Sequence, residues 1–435
     1  MQSKYKSKFM SDLLRKIIII GVGQGGFQAA VSLRQAGSKA QITLIGEEPS
    51  LPYQRPPLSK AFMQGGEVDR LLLRKSTYYA ENGITLLLGR RVSSIDRSKR
   101  TIATIDGEIY PYDHLILATG ARNAIPPIAG VGLPGIHKLR TLEDAAGLRR
   151  ALHEKCRAII IGGGFIGLEF AAVARMAGIE VTVVEAANQL MARIVSPEMA
   201  RRFAAIHESM GVDLLLGRRA VEILAGPDGH ATGVRLDDGT ERNGDLLLLA
   251  AGVTPNVELA LAADLDCDNG IVVNSHLQTA DPAIAALGDC AAFPDPITGQ
   301  LIRLESVQAA TDHARTIAKC LIDTPIHYDA VPWFWSDQAE WKLQIAGLAG
   351  SADNRIECEG VNGAATVLRF DGDRLSCVET VNTPADHIAA RRLLSSNMPI
   401  LKSEIEAHRY SLSDLLKSKK AASEQVMDTK GEKHQ

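Results

Sequence analysis

Two hydrophobic rhythms run along this chain. Near the start, Ile17 to Ile20 form an unbroken apolar run that ends in Gly21-Val-Gly-Gln-Gly-Gly26, and an Ala-rich stretch then continues to Gly37. A short apolar run that stops at glycine and passes into helical spacing predicts a buried strand, a tight turn and a helix. The design returns about 140 residues later as Ala158-Ile-Ile-Ile161, Gly162-Gly-Gly-Phe-Ile-Gly167 and an Ala-rich stretch to Gly178. Each helix leads into another apolar strand, Gln41 to Ile45 and Glu180 to Val184. This is a βαβ unit twice over, so two parallel sheets are expected.

Between the repeats the rhythm shortens. Thr101 to Ile105 and Ile109 to Tyr110 alternate around the turn Asp106-Gly107 and read as small strands. His114-Leu-Ile-Leu-Ala-Thr-Gly120 and Asp245 to Gly252 each read as a buried strand leaving through small residues, so both repeats close alike. Beyond about Pro325 the βαβ pattern stops, and segments such as Leu343 to Ala346 and Ala365 to Phe370 predict a smaller α+β domain. From Lys417 the chain turns lysine-rich and polar, and this tail is expected to be disordered.

Composition adds little to this picture and removes several classes. With 435 residues, 46% hydrophobic and 23% charged, the chain has material for two or three globular domains. A net charge of −3 gives no general attraction to nucleic acid. Ile17 to Ile20 is too short to span a membrane. The basic segment before it (Lys4, Lys6, Lys8, Arg15, Lys16) lacks a following apolar core and reads as a disordered extension. Cys156, Cys267, Cys290, Cys320, Cys358 and Cys377 show no CxxC spacing and no histidine companions, which points to free thiols in a reducing cytoplasm and to no metal site. Cys156, just before the second strand, reads as core.

The glycine turns carry the first chemistry. Gly21, Gly23 and Gly26 permit the turn, the close approach of backbone to a pyrophosphate, and tight helix–strand packing. The phosphate then rests on the N–H groups that open the helix. Glu47 ends the next strand about 20 residues on, where a carboxylate bonds a ribose hydroxyl. Gly162, Gly164 and Gly167 repeat the motif with Glu185 as the acid. A 2′-phosphate beside Glu185 would be repelled, and Ala186, Ala187 and Asn188 offer no cation, so NADH is favoured over NADPH. Arg193, close by, is the one residue that works against this. Gly288-Asp289, at the end of the strand Ala285 to Leu287, fits either a contact to a ribityl hydroxyl or an ordinary β-turn. Leu51-Pro-Tyr-Gln-Arg-Pro-Pro-Leu-Ser-Lys60 fits either a rigid surface loop or a stiff wall beside a planar cofactor with Lys60 at its polar edge.

With these motifs in place, the chain resembles the pyridine-nucleotide flavoproteins of the glutathione-reductase superfamily. Within it, the chain is similar to ferredoxin reductases of bacterial oxygenase systems, of the putidaredoxin reductase and biphenyl-dioxygenase ferredoxin reductase type. The resemblance covers residues 15 to 400. It rests on Pro56-Pro-Leu-Ser-Lys60, Ala118-Thr-Gly120, Leu139-Arg-Thr-Leu-Glu-Asp144, Gly162 to Glu169, Gly252 to Asn256, Gly288-Asp-Cys290, Glu305-Ser-Val307 and Pro332-Trp-Phe-Trp-Ser-Asp-Gln338. It implies an α/β fold with two Rossmann-like dinucleotide-binding domains plus a smaller C-terminal α+β domain. An FAD-binding domain would comprise 1–120 and 253–327, an NAD-binding domain 121–252, a C-terminal domain 328–412 and a disordered tail 413–435. FAD would be held by Gly25 with its neighbours Gly21, Gly23 and Gly26, and by Glu47, Lys60, Val92, Ala118, Thr119, Gly120, Arg140, Asp289, Val307 and Trp335. NADH would be held by Gly162, Gly164, Gly167 and Glu185. Lys60 and Glu169 would pair beside the flavin, and Trp335 would lie where electrons leave.

One absence refines the resemblance. Disulfide reductases of the superfamily carry a cysteine pair next to the flavin, whereas Leu51 to Met63 contains no cysteine. The implied activity is therefore hydride transfer from NADH to FAD, followed by single-electron transfer to an acidic two-iron two-sulfur ferredoxin that serves a cytochrome P-450 or Rieske oxygenase. Gln308 to Leu321 reads as a helix carrying Arg315 and Lys319 on one face, a candidate docking surface or an ordinary solvated face. An NADH oxidase or small-molecule (quinone, monodehydroascorbate) reductase shares both glycine motifs, and a redox sensor of apoptosis-inducing-factor type shares the fold. Monomer and homodimer both stay open.

Overall fold

The computed structural model describes residues 15–154, 157–350, 354–396 and 398–431. The basic N-terminal extension, up to residue 14, and Cys156 lie outside these. The chain divides into two compact units. One comprises the chain up to Ile125 with Lys138–Arg149 and Ala251–Ala330; the other comprises Pro126–His137, Arg150–Ala250 and the chain from Val331.

The elements used below are, in chain order, β1 (Lys16–Ile20), α1 (Gln24–Gln35), β2 (Gln41–Gly46), β3 (His114–Leu117), β4 (Arg157–Ile161), α2 (Phe165–Met176), β5 (Glu180–Glu185), α3 (Pro197–Ser209), α4 (Val307–Ile322), β6 (Trp333–Gln338) and β7 (Arg374–Val381).

In the first unit, β1 lies between β2 and β3, and Ile84–Leu88 and Ile284–Ala286 extend the sheet on either side, all parallel. Ile17 to Ile20 are each at most 5% exposed, which is why this strand reads as a continuous apolar run rather than an alternation. Val92–Asp96, Thr101–Thr104 and Ile109–Pro111 form a small antiparallel sheet. The second unit repeats the plan. β4 lies between β5 and Leu246–Leu249, flanked by Val212–Leu216 and Ile136–His137, again all parallel. It also repeats the antiparallel accessory, as Ala220–Ala225, Ala231–Leu236 and Glu241–Asn243.

The rest of the second unit is a five-stranded antiparallel sheet, β6, Trp341–Gly347, β7, Ala365–Asp371 and Asn354–Glu359 in spatial order, with helices after it. Glu379 of β7 joins this sheet to α3. Its fully buried carboxylate accepts from the N–H and Oγ of Ser196, the N-cap of α3, and pairs with Arg369 at 2.9 Å. Burial raises the Glu379 pKa, against the opposing pull of Ser196 and Arg369.

The tail differs from the expectation of disorder. Leu412–Gly431 is a helix. Leu412 and Leu415 are buried among Leu393, Ile400 and Ile405 and anchor its first turn. The following run of Lys, Ala, Ser and Glu consists largely of residues with good helix propensity, which propagates a nucleus once packing has formed it.

Candidate functional site

Each unit holds a glycine turn built by the same steric logic. In the first, Gly21 has φ +115°, and a Cβ there would stand 2.1 Å from the Ala118 carbonyl oxygen; one at Gly26 would stand 1.9 Å from the Gly21 oxygen. Gly23 faces open space, with nothing within 4 Å of its ideal Cβ position. In the second unit Gly162 has φ +114°, a Cβ at Gly167 would stand 2.2 Å from the Gly162 oxygen, and Gly164 faces open space.

The helices that follow, α1 and α2, start at Gly23 and Gly164 with no side-chain cap and no acidic residue in the first turn. The contrast with α3 and α4 is informative, because Ser196 and Ser306 cap those by accepting from Met199 N and Ala309 N. The opening N–H groups of α1 and α2 therefore lack the side-chain acceptor that helix starts usually recruit, and they border space left clear by glycine. That arrangement fits an anionic pyrophosphate in each unit.

The acids after the second strands are placed differently. Glu47 is exposed, 3.8 Å from Arg91. Glu185 turns into its own loop, where Oε2 accepts from the Gly163 N–H and Oε1 from the Ala187 N–H, both at 2.7 Å. Arg193 is exposed in the same unit.

In the first unit the structure assembles a polar cluster around Asp289. The Ile284–Ala286 strand enters a 3-10 turn at Gly288–Cys290, and the Asp289 side chain is 17% exposed rather than out in solvent. Arg140 donates to Asp289 at 2.8 Å and also approaches Gly120, whose φ is +64°. Thr119 and Asn256 latch the neighbouring strand exit through reciprocal bonds, Thr119 Oγ1 to the Asn256 oxygen and Asn256 Nδ2 to the Thr119 oxygen. Arg55 donates to the Arg140 carbonyl and to Glu48, which also accepts from Tyr53. Burial pushes the Tyr53 phenol up, so it stays a neutral donor. Arg303 donates to the Asp289 carbonyl at 3.1 Å.

The Gly288 N–H donates to Nδ1 of fully buried His313, at 3.2 Å, and burial lowers the imidazole pKa to about 3. A neutral ring leaves Nδ1 as an acceptor and so holds the turn. Cys290 is buried against the Leu287 carbonyl, and burial raises its thiol, which keeps it from acting as a thiolate.

Several sequence-predicted residues take simple positions. Lys60 is half-buried at the end of the 3-10 turn Pro56–Ser59, Val92 is buried in the accessory sheet, and Val307 opens α4. In the second unit Glu169 is 6% exposed on α2 and accepts from Ser336 Oγ at 2.7 Å. Trp335 is half-buried on β6, its ring 5.5 Å from that of Trp333. Arg315 and Lys319 are both exposed on α4, and Arg315 pairs with Asp312 at 3.1 Å. Sequence reading did not single out Tyr53, Glu48, Arg55, Arg303, His313 or Ser336. Tyr53 and Arg55 lay within the proline-rich segment and Ser336 within the Pro332–Gln338 motif, but none of the six was given a role.

Comparison with known proteins gives one consistent result. Residues 15–314 match the pyridine nucleotide-disulphide oxidoreductase family, and residues 333–416 match the reductase C-terminal domain. Rhodocoxin reductase of Rhodococcus erythropolis is 47% identical over 386 residues, covering 88% of this chain and 90% of its own. The crystal structure of the ferredoxin reductase for the CYP199A2 system from Rhodopseudomonas palustris superposes with a TM-score of 0.89 at 42% identity, covering 92% of this chain and 99% of that one. The covalent putidaredoxin reductase–putidaredoxin complex also gives 0.89, at 36% identity, covering 94% and 99%. Among the described residues, no helix is long and apolar enough to cross a membrane.

Proposed function

This chain belongs to the pyridine nucleotide-disulphide oxidoreductase family of FAD- and NAD(H)-using enzymes, and from that premise we propose that it is an NADH:ferredoxin oxidoreductase. Its acceptor is a small two-iron two-sulfur ferredoxin that feeds an oxygenase. The carrying observation is the pair of uncapped helix starts behind glycine turns, one in each unit, in a chain whose segment 51–63 holds no cysteine. The first property provides two dinucleotide sites; the second removes the thiol relay that a disulfide reductase needs.

FAD, when bound, supplies the conversion of a hydride from NADH into electrons released singly. The residues of this chain bind and orient. The N–H groups opening α1, with Gly21, Gly23, Gly25 and Gly26, hold the FAD pyrophosphate. Glu47 takes the ribose, and Asp289, fixed by Arg140, takes a ribityl hydroxyl. Ala118, Thr119, Gly120, Val92 and Val307 shape the walls, and Lys60 supplies a cation. In the second unit, α2 with Gly162, Gly164 and Gly167 holds the NADH pyrophosphate and Glu185 the ribose. Glu169 is the carboxylate on the nicotinamide side, and Trp335 marks the electron exit.

Arg315 and Lys319 attract the acidic partner. Because Asp312 partly neutralises Arg315, the double variant is the informative one. Arg315→Glu with Lys319→Glu should slow ferredoxin-dependent cytochrome reduction on the order of tenfold at low salt, an effect that salt diminishes. Flavin reduction by NADH should not change. Unaltered ferredoxin turnover at low ionic strength would remove α4 from the docking surface. NADH oxidation that never passes electrons to any ferredoxin would refute the function.

A further inference from the structure

Ser336, Gln338 and His207 stand in the second unit with no cofactor role of their own, yet they are joined to Glu169. Phe334, Ser336 and Gln338 alternate along β6 and so share one face of the strand. On α2, Phe165 and Glu169 are four apart and share one face of the helix. The two faces meet in register. Phe165 packs against Phe334 with ring centroids 6.0 Å apart, and Glu169 meets Ser336 at 2.7 Å. The match is metrical, since four helical residues rise about 6 Å and two strand residues about 6.6 Å. One step further, Gln338 Nε2 reaches Ser336 Oγ at 3.2 Å, and Gln338 Oε1 reaches His207 Nε2 of α3 at 2.7 Å. Ser336, Gln338 and His207 are each 0% exposed.

The direction of every proton in this chain follows from one premise. A carboxylate only accepts, so the single Ser336 proton goes to Glu169. Ser336 Oγ must then accept from Gln338, which turns the amide N–H toward Ser336 and the amide oxygen toward His207. His207 must therefore carry its proton on Nε2. Nδ1 is then the unprotonated nitrogen; it is buried without a hydrogen-bond partner, and burial lowers the pKa of this imidazole, in keeping with a neutral ring. Three donors thus point the same way, and hydrogen bonds aligned head to tail polarise one another.

We propose that Ser336, with Gln338 and His207 behind it, is a positioning residue that fixes the rotamer of the Glu169 carboxylate during hydride transfer. The proposal rests on the assignment of Glu169 given above. It makes the C-terminal antiparallel sheet a participant in the NADH half-reaction rather than a cover for it.

The test uses the flavin-loaded full-length protein as wild type, Ser336→Ala, Ser336→Thr, Glu169→Gln and the Ser336→Ala/Glu169→Gln double variant. Two quantities are read: the limiting rate of flavin reduction by NADH, and the carboxylate stretching band of Glu169 in isotope-edited infrared difference spectra against Glu169→Gln. Loss of one hydrogen bond to a charged group predicts a rate on the order of tenfold lower in Ser336→Ala. The Glu169 band should shift in the same variant. Ser336→Thr, which keeps the hydroxyl, should restore both. The double variant should reduce no more slowly than Glu169→Gln alone. If Ser336→Ala does not fold, Gln338→Met should shift the band in the same direction by a smaller amount, and an unmoved band there overturns the proposal. Wild-type rate and band in Ser336→Ala beside a slow Glu169→Gln would overturn the positioning role while leaving the function intact. Additive rate losses in the double variant would do the same. A Glu169→Gln protein that reduces at the wild-type rate would overturn the assignment of Glu169 and the proposal with it.

Discussion

The two dinucleotide folds share the order of four of their five strands, the glycine spacing and the uncapped helix starts, yet each completes its site differently. In the first, support arrives from afar. Asp289 is braced by Arg140 and Arg303, its turn is held by His313, and Arg140 is in turn held by Arg55. In the second, the loop satisfies itself, because the Glu185 carboxylate already accepts from Gly163 and Ala187. A site braced from several segments suits a cofactor that stays. A site whose key acid rests in local hydrogen bonds suits a nucleotide that binds and leaves each turnover, since the Glu185 carboxylate keeps its partners between visits.

The largest expected effect comes from the glycines that touch their own turns. Gly26→Ala would put a methyl 1.9 Å from the Gly21 oxygen, and Gly167→Ala one 2.2 Å from the Gly162 oxygen. Gly26→Ala should purify without flavin, whereas Gly167→Ala should stay yellow and lose NADH-driven flavin reduction by about a hundredfold or more; about 3 kcal/mol of overpacking strain corresponds to that factor. Flavin content by absorbance and stopped-flow reduction decide it. A colourless Gly167→Ala protein would exchange the two assignments.

Next in size is the nucleotide preference. Glu185→Ser should cut the NADH-over-NADPH ratio of kcat/KM by about tenfold, because the repulsive carboxylate is gone. Glu47→Ser should leave that ratio unchanged. A shift in the Glu47 variant instead would mean that the first fold reads the nicotinamide nucleotide.

A pH experiment sharpens the contrast in bracing. The His313 pKa falls from 6.5 to about 3 on folding, so the unfolded chain binds the extra proton between these values. Its contribution is complete above pH about 6.5 and is lost as pH falls toward 3. His313→Gln, which keeps a neutral acceptor, should show a shallower loss of flavin retention and unfolding free energy between pH 6.5 and 4 than wild type. Equal slopes would mean that His313 is not held buried and neutral in the folded protein. The smallest effect is expected from Ser306→Ala on α4, about 1 kcal/mol in denaturant titration with the flavin spectrum unchanged.

Much of this was legible in the sequence because it is local. Strand, glycine turn and helix succeed one another within a few residues, and sterics require glycine at Gly21 and Gly26. By local pattern Asp289 was legible only as an ambiguous Gly-Asp turn, and it took the family resemblance to set it beside Arg140, because the two are 149 positions apart. Ser336 was hidden for the same reason, being 167 positions from Glu169. The helix at Leu412–Gly431 went unread because its anchor is two leucines and the rest is polar. Packing against a distant cluster, not local pattern, makes it a helix.

The Glu379 carboxylate has a consequence for how this protein can be cut and recombined. By family boundaries, the C-terminal domain begins at residue 333 and looks like a detachable module. Its buried glutamate, however, takes two hydrogen bonds from Ser196, which lies on the far side of that boundary. A chimaera that grafts a foreign reductase C-terminal domain here, or a truncation at the seam, strands either an acid without its donors or a helix N-terminus without its anchor. The exchangeable segment in this protein is therefore the whole second unit, and a successful swap has to carry Ser196, Arg369 and Glu379 together.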